Sequence, residues 1–166
     1  MLINYFVTYP EKFDIRLKKI IENLDVESFD NYIRDGGGIS AVNLSMIICQ
    51  YGNADDEILW DSTRAEDDLD LLRDIDRKKA ALVTTLLKRG IQFDKKCLLH
   101  CYTFRCPKTA EILLSNGIDP NIDCGVSSSL LAYIDDGRWI GFNYSSEILI
   151  EELEKIIRDH GEDLSA

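Results

Sequence analysis

The chain has 166 residues, 45% of them hydrophobic, with three prolines, five cysteines and a formal net charge of −11. That length suffices to bury a core without disulfides or metal, so one domain is expected, monomeric outside any complex. The charge disfavours direct binding to nucleic acid or to an anionic membrane, because both need cations to meet phosphate.

The first stretch, MLINYFVTYPEKF, has no basic region ahead of its apolar residues and is too short and too polar for a signal peptide or a membrane span. A cytoplasmic location is expected, with Cys49, Cys97, Cys101, Cys106 and Cys124 as free thiols. Phe13 to Asn23 (FDIRLKKIIEN) reads as a helix, and a second helix follows, closing in YIRDG at Gly36. Ser40 to Tyr51 is the next helical stretch. Beyond it comes an acidic segment, and a helix expected to start near Lys78 then ends in LLKRG at Gly90.

Cys97 to Phe104 is followed by TAEILLSNG. Ala110, Ile112, Leu113 and Leu114 there form an apolar stripe that Gly117 can stop in the left-handed conformation. The last pair is Ser128 to Ile134 and a helix ending in IIRDH, with Gly161 next. Four helix pairs with the same ending make an all-α repeating array, in which a pair buries its apolar face only against its neighbours.

The third unit, CLLHCYTFRCPKTAEILLSNGIDPN, resembles the ankyrin-repeat family, with His100 at the histidine position of its opening motif and Cys97 and Leu98 in place of threonine and proline. LDVESFDNYIRDG, Leu24 to Gly36, is similar to the second helix of such a repeat. The resemblance implies an ankyrin-like solenoid of about four helix-turn-helix units, approximately 11–39, 40–95, 96–126 and 127–166. It also implies a scaffold that recognises proteins through its turns and concave helix face. The spacing between stop glycines is uneven, which points to insertions at about 54–77 and 137–147.

The first insertion carries the charge. Between Asp55 and Asp76 there are ten acids against Arg64 and Arg73, a local net of −8. The run has no glycine where a calcium loop needs its turn. Leu69, Leu72 and Ile75 among Asp68, Asp70 and Asp74 instead describe an amphipathic helix, either simply solvated or an acidic docking surface. The second insertion, GRWIGFNYSS, offers Trp139, Phe142 and Tyr144 either as a contact patch or as a cap on the array.

Cys97, His100 and Cys101 fall on one helical face with Cys106 close behind, so a zinc site or a cysteine-dependent enzyme is the competing reading. Against it, the resemblance places His100 at a helix start in a structural role, and buried cysteine is an ordinary small core residue. The preferred expectation is therefore a non-enzymatic protein-binding module without metal or cofactor. It would dock a basic partner through Asp67, Asp68, Asp70, Asp74, Trp139, Phe142 and Tyr144. A basic toxin or nuclease domain neutralised by an immunity protein fits that charge.

Overall fold

The structure is a computed structural model and describes residues 9–10, 12–50, 65–94, 96–121, 130–131, 134 and 144–161, with backbone only at 65–68 and 144–146. Among these residues the regular structure is entirely helical: α1 (Ile15–Glu22), α2 (Val26–Arg34), α3 (Leu44–Ile48), α4 (Ala65–Lys88), α5 (Lys96–Thr103), α6 (Pro107–Ser115) and α7 (Tyr144–Asp159). Leu130, Leu131 and Ile134, between α6 and α7, are also helical and buried.

Local chemistry sets the helix starts. Asp14, Asp25 and Asn43 are N-caps whose side chains accept from the amides of Arg16, Ser28 and Met46 at 2.8, 3.0 and 3.0 Å. The stops repeat. Gly36, Gly90, Gly117 and Gly161 all have positive φ, between 82° and 96°. At Gly117 the Ile118 amide reaches back to the Leu113 carbonyl and the Gly117 amide to that of Leu114, closing the helix in a Schellman motif.

The same pair of bonds occurs at two residues that are not glycine. Leu24 (φ 50°) ends α1 and Arg105 (φ 58°) ends α5. Twelve residues separate Leu24 from Gly36, and twelve separate Arg105 from Gly117. The helix pairs α1–α2 and α5–α6 therefore share one spacing from left-handed stop to left-handed stop.

α1 packs on α2, α3 on α4, and α5 on α6. Across pairs, α1 touches α3 and α3 touches α5, while α2, α4, α6 and α7 pack in succession. The core lies between these two rows, with Leu17, Ile21, Phe29, Ile47, Leu82, Leu86, Leu98, Leu113 and Leu153 almost fully buried.

Three expectations need correction. The helix ending in LLKRG begins at Ala65, not near Lys78, so the later part of the acidic segment is the first half of α4 and not a separate insertion. α7 begins at Tyr144, so Tyr144 and its successors belong to a helix and not to the aromatic connection. His100 is the fifth residue of α5, away from the helix start. In the first two cases an apolar stripe continues through residues whose charge or aromaticity had suggested a break.

Candidate interaction surface on the acidic helix

α4 spans 24 residues, against nine each for its neighbours α2 and α6. Its side chain at Asp76 sits at the first residues of α6, so the part from Ala65 to Asp76 runs roughly 16 Å beyond that helix's start. Gly90 and Gly117 lie at the other end. The acid-rich half of α4 thus extends past α6 at the edge opposite the glycine turns, flanked by the first half of α7.

Within this half, Leu72 and Ile75 are buried and Asp70 is exposed, the amphipathic division that the residue spacing implies. Asp74 is half-buried and already engaged, with Arg77 Nη1 at 3.1 Å and Lys78 Nζ at 3.0 Å. Asp67 and Asp68 lie in the first turns of α4, where acids suit the positive end of the helix dipole. Tyr144 opens α7, and Trp139 and Phe142 lie outside the described residues.

The projecting half is tied to α7. Arg73 Nη1 donates to Glu152 Oε2 at 2.9 Å and Nη2 donates to Oε1, a bidentate pair with both side chains about two-fifths exposed. Glu152 thereby holds the one cation in the Asp67–Asp74 stretch. Beneath the pair is a cleft of about 350 Å³ lined by Arg73, Arg77, Lys108, Asp76, Glu111 and Glu152.

Asp76 does not belong to the surface. It is 3% exposed, and its carboxylate accepts from the Lys108 amide at 2.8 Å, the Thr109 amide at 3.0 Å and the Thr109 hydroxyl at 2.7 Å. The N-cap residue of α6 is Cys106, which makes no side-chain cap bond, so α4 provides the cap. Burial pushes the Asp76 carboxyl up, while Thr109, the Lys108 amide and nearby Lys79 pull it down.

Lys79 is three residues further along α4 and is 1% exposed. Its ammonium donates to the Ile48 carbonyl at 2.7 Å, at the last residue of α3, and to Cys106 Sγ at 3.7 Å, and lies 5.0 Å from the Phe104 ring centre. An anion thus meets the positive end of α6 and a cation the negative end of α3, both carried on one turn of α4. Sequence reading missed both residues. Their signal was available: each falls on the Leu72–Ile75–Leu82–Leu86 stripe, and the Cys106-Pro107 start of α6 lacks a capping side chain of its own.

The cysteines of the cysteine–histidine group are packed into the core. Cys97 and Cys101 are buried against the core, and His100 Nδ1 lies 3.1 Å from Ser45 Oγ on α3. Burial holds the Cys101 thiol well above its usual range and pushes Cys106 up to about 12, so both stay protonated at neutral pH. Among the described residues no three His, Cys, Asp or Glu side chains converge as metal ligands. Arg105, between the two helices, donates from Nη1 to the carbonyls of Tyr102 and Thr103, and burial lowers it to about 10.

No described helix is long and apolar enough to cross a membrane. Compared with protein-family models, curated proteins and solved structures, the chain matches none.

Proposed function

We propose that the chain is an ankyrin-like helical-repeat module that binds a basic partner protein through the projecting half of α4, without catalysing a reaction. The observation that carries this reading is the projection itself. An acid-rich helix is anchored by Leu72 and Ile75, by the Arg73–Glu152 pair and by the buried Asp76 cap, and it leaves Asp70 in solvent. A fixed charged surface steers an oppositely charged partner without ordering cost at each encounter. The recurrence of the Leu24–Gly36 stop spacing at Arg105–Gly117 supports the repeat reading, and the enclosure of Cys97, Cys101 and Cys106 in the core weighs against the cysteine-dependent or zinc-binding alternative.

Asp67, Asp68 and Asp70 are the acids assigned to the contact, with Asp74 contributing less because two cations already hold it. Trp139, Phe142 and Tyr144 remain the assigned apolar contribution. A basic toxin or nuclease domain, with this protein as its immunity protein, is the partner class with the matching charge. Affinity capture from cells with paired baits tests the assignment: the wild type should retain a basic protein that the Asp67, Asp68, Asp70 and Asp74→Asn variant releases. Equal recovery on both baits would place the contact elsewhere.

A further inference from the structure

Ile15 is the exposed large hydrophobic side chain of the described residues, 72% accessible, and it stands in a locally basic stretch. Residues 12 to 19 contain Lys12, Arg16, Lys18 and Lys19 against Asp14 alone, a local net of +3 in a protein of −11. Lys19 follows Ile15 by one helical turn and shares its face; Lys12 stands in the turn leading into α1. The carboxylate of Asp14 is directed elsewhere, accepting from the Arg16 amide and from the Tyr32 hydroxyl at 3.0 Å. Lys18 pairs with Glu22, but among the described residues no carboxylate pairs with Lys12 or Lys19. The result is an apolar anchor among unneutralised cations.

The position of this patch identifies its occupant. Tyr32, near the end of α2, bonds both Asp14 and the Gly38 carbonyl, which puts the start of α1 at the glycine-turn edge of the molecule. The acid-rich start of α4 projects at the opposite edge, roughly 30 Å away along the helix axes. Two copies lying side by side and antiparallel bring each basic edge against the other's acidic projection, and a two-fold axis satisfies both contacts at once.

We infer that the free protein pairs with a second copy of itself, the Lys12–Ile15–Lys19 edge of each seated on the α4 projection of the other. A basic partner would then have to displace the second copy, so self-pairing limits access to the acidic helix. The pairing does not depend on the partner reading, and no partner enters its test.

The test is a charge swap followed by sedimentation velocity. The wild type should show a monomer–dimer equilibrium that Ile15→Ser weakens about tenfold. Lys12→Glu/Lys19→Glu, or separately Asp67→Lys/Asp68→Lys/Asp70→Lys, should each weaken it by more than about a hundredfold through like-charge contact. Mixing the two reversed proteins should restore a dimer containing one of each, since both contacts are again complementary. Ile15, Lys12, Lys19 and Asp70 are exposed, and circular dichroism of each variant checks that it is folded. A wild type that stays monomeric up to about 1 mM, a dimer that survives either reversal, or a mixture that fails to pair would each overturn the inference.

Discussion

The Asp76 carboxylate accepts hydrogen bonds from both the amide and the hydroxyl of Thr109, at 3.0 and 2.7 Å, and so closes the start of α6 from a helix two positions earlier in the chain. Replacing it with alanine strands the Lys108 and Thr109 amides and removes the carboxylate beside the buried Lys79. Asp76→Ala should lower stability by about 2–5 kcal/mol, and Asp76→Asn by less because the amide oxygen can still accept. A urea titration reads the difference; a loss under about 0.5 kcal/mol would mean that the cap is dispensable.

Leu113 is fully buried in α6, as its place in the apolar stripe requires. Truncation to alanine should cost about 2–5 kcal/mol through lost burial and a cavity. A smaller effect in the same titration would indicate that the surrounding helices collapse into the space.

The glycine run after α2 gives an internally controlled comparison. A Cβ on Gly37 would stand 2.3 Å from the Tyr32 ring, whereas one on Gly38 meets nothing within 4 Å. Gly37→Ala should therefore destabilise by about 1–3 kcal/mol, and Gly38→Ala should be close to neutral. Equal melting temperatures for the two variants would show that Tyr32 moves freely. That outcome would also weaken the Tyr32–Asp14 link between α2 and α1.

His100 sets a pH dependence whose sign follows from burial. Desolvation holds its pKa below the ordinary histidine value, so the unfolded chain takes up the proton first. Its contribution to stability is complete above about pH 6.5 and is lost as pH falls from there through the lowered folded value. Denaturant midpoints of the wild type should therefore fall between about pH 7 and 5 more steeply than those of His100→Gln. The difference between the two curves isolates His100 from carboxylates, including Asp76, that both proteins share. Parallel curves would mean that the ring titrates alike in both states.

What could be read from sequence followed from what a single residue can do by itself. Gly36, Gly90, Gly117 and Gly161 announce left-handed stops because few other residues tolerate that geometry, and Asp25 announces a cap because it bonds its own helix. Leu24 and Arg105 adopt the same left-handed stop without such a marker, held by tertiary packing. Asp76 and Lys79 stayed hidden for a related reason. Counting charge from Asp55 to Asp76 averaged a buried cap together with exposed acids, although helical periodicity places Asp76 on the Leu72–Ile75 face. The start of α4 was misplaced because an acidic run resembles an inserted loop until the stripe beneath it is followed. Of the proposed contact residues, Asp70 is exposed, Asp74 pairs with Arg77 and Lys78 along its own helix, and Trp139 and Phe142 fall outside the described residues.

The central claim is that a charged surface on α4 recruits a basic protein. Its most direct test is the association rate of the purified partner measured against ionic strength. For the wild type the rate should fall steadily as salt shortens the screening length toward about 8 Å and below, with dissociation much less affected. The Asp67, Asp68, Asp70 and Asp74→Asn variant should associate slowly at every salt concentration, near the wild type's high-salt rate, while melting at the same temperature or slightly higher. An association rate indifferent both to salt and to the four substitutions would contradict the account and leave the first half of α4 as a solvated helix.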